Sequence, residues 1–281
     1  MVLEFWLEQK CVTPNTLEIL LQSFIFVSIA VAGVHMIGLE QAPTAFLFLI
    51  GLPSIPFLLK IFQCEVEIEE KKGKFLGSSV LARHYGAFRV LAAFFLGLVL
   101  AFTFWYLVLP EQNSAMLFQT QKQELKSVQG VLLGAALNVA DAFEKIFTHN
   151  LQVLLFVIVF SIVYGAGAVF ILIWNASVIG VFLGEFSKAY VLSGGAGVTG
   201  VFGGQVTGVS LGLLGILPHG IFELLSYLAA ALAGGILSAA IIRGDYKSQI
   251  FPVIIYDIAK LLAWAIVFLA VGAFIETYPL G

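Results

Sequence analysis

The strongest candidate for chemistry in this sequence is a histidine and a glutamate one helical turn apart, His219 and Glu223. No Asp, Glu, Lys or Arg occurs from Ala189 to Phe222. The run then stays apolar as far as Ile242, so that Glu223 is its one acid. An acidic side chain at the centre of a bilayer costs about 2.5–3.5 kcal/mol on insertion scales, and it should be either paired or functional. At i and i+4 the two side chains share a helix face, which predicts a mutually satisfied pair or a ligand site.

A metal site is one chemistry that this pair supports, because neutral histidine and carboxylate are both metal ligands. A catalytic zinc ion takes about three protein ligands and a water, whereas the pair supplies two. The missing ligands would come from residues elsewhere in the chain, namely His35, Glu40, His149 or Glu185. Nothing in the sequence shows that these residues converge. No cofactor is therefore expected, and a metal-dependent intramembrane hydrolase stays an alternative.

Transport of a small solute or ion is a second chemistry. Secondary transporters bind ions where helices are interrupted near the middle of the membrane. Two apolar segments are predicted to be interrupted here, at residues 174–175 and 218–219, each followed by a helix start. Pro218 lacks an N–H and suits the first turn of a helix, so a helix is expected over 218–242. Asn175 joins the histidine and the glutamate in the predicted polar site.

Other polar residues lie within apolar segments. Asp257 and Lys260 stand at i and i+3 in the last apolar run, a spacing that permits an ion pair within one helix. Asn150, Asn175 and Ser177 are expected to hydrogen-bond across helices or to cap them. A structural role is expected for these residues, with a proton relay as the alternative for Asp257 and Lys260 and a pore-lining role as the alternative for the two asparagines and Ser177.

The composition is that of a polytopic membrane protein. Hydrophobic residues make up 60% of the 281 residues and charged ones 11%, and the mean hydropathy is +1.02. That length allows about six or seven spans of ~20 residues, so the predicted fold class is all-α, a multi-pass transmembrane helical bundle. Cys11 and Cys64 match no metal or redox spacing and are expected to be free thiols. No nucleic-acid patch or phosphate-binding loop is present, so no nucleic-acid partner is predicted.

One integral membrane domain, residues 1–281, is predicted in three parts. Residues 17–109 form three spans, over 17–39, 44–62 and 86–109. Residues 110–149 form an external amphipathic segment, and residues 150–281 form the C-terminal core. Basic residues between 60 and 89, and again at Arg243 and Lys247, place both regions in the cytoplasm by the positive-inside rule. The N-terminus is then cytoplasmic in the cell membrane, and the last run, 250–275, leads outward.

Glycine is concentrated just before the histidine–glutamate pair. Residues 194–212 include eight glycines in nineteen positions. Glycine weakens helices and permits irregular backbone, which survives at membrane depth only when it is buried in protein or lines a wet cavity. A broken or re-entrant element is predicted in this stretch of the C-terminal half.

Two segments together carry a family resemblance. The first reads HNLQVLLFVIVFSIVYGAGAVFILIWNASVIG, and some forty residues later come LPHGIFEL and then AAALAGG. The pattern resembles the membrane family named for stage II sporulation protein M, over about the C-terminal two-thirds of the chain. The resemblance implies a polytopic membrane scaffold. In sporulating bacteria the family member belongs to the engulfment machinery with peptidoglycan-degrading partners, and homologues also occur in archaea and where no spore forms.

The resemblance and the lack of a complete catalytic set favour a non-enzymatic protein that acts as a scaffold or membrane-organising component. Its expected partners are the lipid bilayer, further copies of itself and other membrane proteins. The homo-oligomer is expected to form through small-residue faces, and the small residues Ala230 and Gly234 are expected to let another helix approach closely. The alternatives are a small-solute or ion transporter at His219 and Glu223, and the metal-dependent hydrolase.

Overall fold

The computed structural model describes residues 15–38, 42–72, 80–135, 139–164, 167–197 and 200–277. All regular structure in these ranges is helical, which confirms the predicted all-α class. A π-helical turn (Val191–Gly195) follows α8, and a 3-10 turn (Asp245–Lys247) precedes α10. The α-helices of the described ranges are α1 (Thr16–Ile37), α2 (Ala42–Lys72), α3 (Val80–Arg83), α4 (Tyr85–Val108), α5 (Glu111–Leu117), α6 (Gln119–Ala135), α7 (Val139–Tyr164), α8 (Gly167–Tyr190), α9 (Gly200–Arg243) and α10 (Phe251–Thr277).

Seven of these helices, α1, α2, α4, α7, α8, α9 and α10, are long and apolar enough to cross a membrane. Four of them fall within three residues of the predicted runs 17–39, 44–62, 86–109 and 250–275. In lipid every backbone N–H and C=O must bond within its own segment, so an uninterrupted apolar run of this length forms a helix. The prediction of a multi-pass helical bundle is confirmed.

Neither predicted helix interruption occurs where the sequence placed it. α8 runs without a break through residues 174–175, and the Asn175 Nδ2 donates to the Ile171 carbonyl, 2.8 Å away, on its own helix. α9 runs through Pro218, so the prediction that a helix begins there is wrong. Proline removes one backbone hydrogen bond, and a membrane helix tolerates that loss more readily than it tolerates a free end in lipid.

The chain breaks instead between α8 and α9. Gly194, inside the π-helical turn, has a φ of 97°, a conformation that residues with a Cβ seldom adopt. The predicted glycine-rich interruption is therefore real at its start, whereas the stretch from residue 200 to 212 is helical. The break turns the chain back on itself, and α9 returns along α8.

This return forms an apolar arm, defined as residues 183–197 and 200–217. The two helical segments of the arm are in close contact. A Cβ added to Gly208 would lie only 2.7 Å from the Ser187 Cα. The Ser187 Oγ also donates to the Gln205 carbonyl at 2.9 Å. On the outside of the arm Leu192 is 87% exposed and Phe202 79% exposed. α9 has 44 residues and is about 66 Å long, roughly twice the thickness of a bilayer core.

The segment predicted to be external, 110–149, does not end at residue 149 as a separate unit. α5 and α6 occupy its first part, but α7 begins at Val139 and continues through residue 150 to Tyr164. Charged residues such as Asp141 and Glu144 thus stand on the first turns of a helix whose later part is a candidate span. The amphipathic face that suggested a separate surface helix serves to line a cavity.

Close contact between α4 and α8 holds the centre of the bundle together. A Cβ added to Gly180 would lie 2.5 Å from the Phe102 Cβ, so only glycine allows the two helices this approach. Phe46, Phe102 and Phe118 pack edge to face beside this contact, with ring centroids 5.7–6.4 Å apart. These contacts join the N-terminal helices to the C-terminal half.

Cys64 forms a disulfide, so the expected free thiol is wrong at this position. Spacing along a chain does not report which thiols meet in space, and the prediction rested on spacing alone. Cys11 and Glu40, which the sequence analysis also singled out, lie outside the described residues.

Candidate solute-binding cavity

A cavity of about 790 Å³ lies among α6, α7, α8, α9 and α10, with Phe95 of α4 on one wall. Its polar lining contains two tiers. Exposed acids of α7 stand at one end, and a largely buried carboxylate on α9 stands at the other. The polar lining residues are Glu124, Ser127, Asp141, Glu144, Lys145, Thr148, His149, Asn150, Gln152, Trp174, Asn175, His219, Glu223, Tyr227 and Glu276.

Three side chains from two helices form the buried end of the cavity, called the floor below. The Tyr227 hydroxyl donates to the Asn150 Oδ1 at 2.8 Å, and the Asn150 Nδ2 donates to the Glu223 Oε1 at 2.5 Å. An ionised carboxylate only accepts, so Glu223 takes the N–H end of the Asn150 amide, and the amide oxygen is left to accept from the Tyr227 hydroxyl. The floor is a directed chain of hydrogen bonds that ends on Glu223.

α10 approaches the floor at Gly272. A Cβ added there would lie 3.1 Å from the Glu223 Cγ and 3.3 Å from the His219 carbonyl oxygen. Four residues later the same helix places Glu276 in the cavity lining. The close approach therefore brings a second acid beside the first.

The cavity lining carries an excess of negative charge. Five of its residues are acids, Glu124, Asp141, Glu144, Glu223 and Glu276, and one, Lys145, is a basic side chain with a fixed charge. Within the described ranges, no Lys, Arg or His lies within 4.0 Å of the Glu223 carboxylate. Clefts lined by one sign of charge concentrate counter-ions, and for an acidic lining the counter-ions are cations.

The structure gathers the predicted site residues into one cavity. His219, Glu223 and Asn175 all line it, together with His149. The expected bond within the pair is absent from the described hydrogen bonds, and Glu223 instead accepts from Asn150 on α7. Asn150 makes the cross-helix bond that was expected of it. Ser177 also bonds across helices, because its Oγ accepts from the Gln121 Nε2 at 3.2 Å.

Several residues of the cavity were not found from the sequence, among them Tyr227 and Glu276. Tyr227 follows Glu223 by four residues and continues the stripe that starts at His219, so the helical period could have identified it. Glu276 carried no such signal, since it lies near the end of the last span and far along the chain from α9. Tertiary packing alone brings it to the site.

Two of the proposed metal ligands, His35 and Glu185, do not line the cavity. His35 lies beside Asn113, whose Nδ2 is 3.3 Å from its Nε2, and Glu185 is 3.2 Å from the Lys122 Nζ. Burial alone would lower the pKa of Lys122, but its bonds to Tyr106 and Glu185 outweigh burial and raise it. Across the described residues, no three His, Cys, Asp or Glu side chains cluster in a way that could hold a metal ion. The described residues therefore provide no cluster for the metal of the predicted hydrolase.

The predicted pair of Asp257 and Lys260 is also corrected. Asp257 forms a salt bridge with Arg83, and the Lys260 Nζ lies 4.2 Å from the centroid of the Tyr256 ring. Asp257 is 2% exposed and faces the bundle, where an arginine from the α3 end reaches it. The spacing within the helix permitted Lys260 as the partner of Asp257, but the packing of the helices makes Arg83 its partner.

Arg83 and Asp257 belong to a buried charge cluster, defined as these two residues with Glu65 and His84. The His84 Nδ1 is 2.6 Å from the Glu65 Oε2, and its Nε2 is 4.0 Å from the Asp257 Oδ2. The cluster joins α2, the start of α4 and α10. It was not found from the sequence, because its members come from three separated segments.

Helices of this length and apolarity around an acidic cavity define a multi-pass α-helical membrane protein. Residues 90–279 match the family model of stage II sporulation protein M. The match covers more than half of the chain, which therefore belongs to this family.

One relative is similar over a shorter stretch. The chain is 30% identical over 146 residues to an uncharacterized protein of Methanocaldococcus jannaschii, across 50% of this chain and 72% of that protein. No solved structure matches the chain.

Proposed function

We propose that the protein binds a positively charged solute in the acidic cavity and carries it across the cell membrane. The observation that supports this most strongly is Glu223, a carboxylate on the floor of an open cavity without a basic partner among the described residues. Its one described hydrogen bond comes from a neutral amide. A cationic solute would complete the site by supplying the missing charge.

The depth of Glu223 supports the same proposal. On α10, Gly272 beside Glu223 is 15 residues from Asp257 of the buried charge cluster, which is about 23 Å along the helix. On α7, Asn150 is nine residues, about 14 Å, from Asp141. Glu223 thus lies between two charged levels whose separation, about 36 Å, is close to the ~30 Å of a bilayer core.

The proposed orientation follows from the basic residues. Arg83 of the charge cluster, together with Arg243 and Lys247, marks one end of the bundle, and the positive-inside rule assigns that end to the cytoplasm. The end of the cavity that carries the α7 acids then faces the outside of the cell, and the N-terminus is cytoplasmic. We further propose that residues 1–281 form a single membrane domain, in view of the packing of α4 against α8.

Uptake into proteoliposomes tests the proposal. Purified full-length protein would be reconstituted and given labelled inorganic and organic cations under an inside-negative potential. We expect uptake by the wild type and at least a tenfold loss in Glu223→Gln, which keeps the hydrogen-bonding capacity but not the charge. Glu111→Gln, an exposed acid outside the cavity, serves as the control. Equal uptake by all three proteins, or none for any cation, would contradict transport.

A scaffold role is the second candidate, and the apolar arm is the observation that favours it. The charged residues of the arm are Glu185 and Lys188 near its start, and the rest of the arm carries no charge and exposes Leu192 and Phe202 at its tip. Exposed apolar patches of this kind mark contacts with lipid or with other proteins. We propose that copies of the chain associate through the arm and that the assembly organises other membrane proteins.

Cysteine cross-linking in native membranes tests that second candidate. Phe202→Cys should cross-link to itself as a dimer, whereas Leu21→Cys, an exposed position on α1, should not. Dimers at both positions or at neither would count against an interface on the arm.

A further inference from the structure

We propose that the solute is an elongated organic cation with at least two ammonium groups, such as a linear polyamine. This inference rests on the proposed transport function and specifies its ligand. It is carried by the arrangement of the acids, which stand at two levels of the cavity, and by the apolar residues that line the same cavity.

The two levels of acid are separated along α7. Asn150, which holds Glu223 on the floor, lies six residues after Glu144 and nine after Asp141. At 1.5 Å per residue the acids of α7 stand about 9 and 14 Å above the floor. A single compact cation on the floor would not reach these carboxylates. A chain with an ammonium group at each end would contact both levels.

The floor has room for one end of such a ligand. Asn150 occupies the Glu223 Oε1, and no described donor bonds the Oε2. Glu276 adds a second carboxylate from α10 in the same cavity. An ammonium group has three donors and no acceptor, so it suits a set of carboxylate oxygens.

The apolar part of the cavity lining suits a methylene chain. Phe95, Trp174, Ile179 and Leu224 line the cavity beside its polar groups. Lysine side chains lay their methylene stems along apolar surface in the same way while the ammonium stays with polar partners. The Trp174 and Phe95 rings also add faces on which a cation is favoured.

Small metal cations fit this arrangement poorly. Mg²⁺ and Ca²⁺ need several oxygen ligands within about 2–2.6 Å of one point. In the part of the chain that the structure describes, no three acidic or histidine side chains meet closely enough to do this. A spread of carboxylates through 790 Å³ matches a ligand whose charges are themselves spread.

Calorimetric binding to purified full-length protein in nanodiscs tests the inference with three probes. They are spermidine, propylamine as a monoamine of similar chemistry, and Mg²⁺. We expect spermidine to bind at least tenfold more tightly than propylamine, because each added ammonium–carboxylate contact contributes about tenfold. Mg²⁺ should bind more weakly than spermidine at the same ionic strength.

Variants at the two levels separate the inference from the function on which it rests. Asp141→Asn combined with Glu144→Gln should reduce spermidine affinity to near that of propylamine and leave propylamine unchanged. Glu223→Gln should weaken both amines, and Glu111→Gln neither. A cooperative thermal unfolding transition would establish that each variant is folded.

Three outcomes would overturn the proposal in distinguishable ways. Equal affinity for spermidine and propylamine, with no effect of the double variant, would exclude the polyamine while the cation site stands. Tighter binding of Mg²⁺ would replace the organic cation with a metal. Failure of all three probes to bind would remove both the ligand and the proposed transport function.

Discussion

Glu223 and Asp257 are both largely buried acids on membrane helices, yet their surroundings differ. Asp257 lies in the buried charge cluster, where Arg83 forms a salt bridge with it and His84 stands nearby. Glu223 lies on the cavity floor, where an uncharged amide is its described partner. One acid has its counter-charge built into the chain, and the other faces a cavity large enough for a solute.

The difference separates structure from function. A buried acid with a basic partner from another helix joins the two helices, and breaking such a pair is costly. A buried acid without a basic partner is maintained at a cost to stability, which is typical of a site that a ligand completes. The cluster therefore holds α2, α4 and α10 together, and the floor of the cavity is the place to look for a bound cation.

The largest effect is expected at the cluster. Arg83→Met leaves Asp257 without its salt-bridge partner in a buried place, and we expect a loss of about 3–5 kcal/mol in unfolding free energy. The measurement is thermal or denaturant unfolding of the purified protein in detergent. Arg243→Met is the matched control, since its pair with Asp245 is more exposed and should change stability by at most about 1 kcal/mol. Similar losses of unfolding free energy in both variants would contradict the claim that the buried charge cluster stabilises the protein more than the exposed pair does.

Replacement of the floor acid should have a smaller effect on stability. Glu223→Leu leaves the Asn150 N–H without an acceptor and should cost about 1–3 kcal/mol, whereas Glu223→Gln keeps a hydrogen bond and should cost less. Unfolding midpoints of the two variants, measured side by side, give the comparison. Equal stability would show that the carboxylate is not part of a buried polar network.

A change of about 1 kcal/mol is expected at the other end of the same hydrogen-bond chain. Tyr227→Phe removes the donor to the Asn150 Oδ1 and leaves the ring in place. Because the amide then loses its orientation, the effect should be smaller when Glu223 is already glutamine. A double-mutant cycle by thermal unfolding measures that coupling, and strict additivity would mean that the three residues do not act together.

The smallest effect is expected at Lys260. Lys260→Met removes an ammonium that lies over the Tyr256 ring and does not pair with Asp257, so unfolding free energy should change by less than about 1 kcal/mol. The control is Tyr256→Leu, which should change stability by a similar small amount. A loss of unfolding free energy in Lys260→Met as large as that in Arg83→Met would support the ion pair between Asp257 and Lys260 that the sequence predicted.

The helices of this protein could be predicted because apolar length alone determines them. α1, α4 and α10 needed no knowledge of their neighbours, and the one acid in a long apolar run identified Glu223 as a candidate. Helix interruptions were less predictable. Proline and asparagine favour helix ends in water, but in α8 and α9 the lack of alternative partners in lipid kept the helix continuous.

Partners could not be predicted, because they depend on packing between distant segments. Asp257 was matched with Lys260 from spacing, and its salt bridge is with Arg83, 174 residues away along the chain. The same holds for Glu276, which reaches the cavity only because α10 passes close to α9 at Gly272. Spacing within one helix reports which residues share a face and not what that face meets.

Uptake of labelled cations by proteoliposomes, compared between the wild type and Glu223→Gln, tests the central claim most directly. If Glu223 is the counter-charge of a transported cation, the folded variant should lose at least about tenfold of the uptake driven by an inside-negative potential. Wild-type uptake that persists undiminished in Glu223→Gln would contradict the claim and return Glu223 to a structural role.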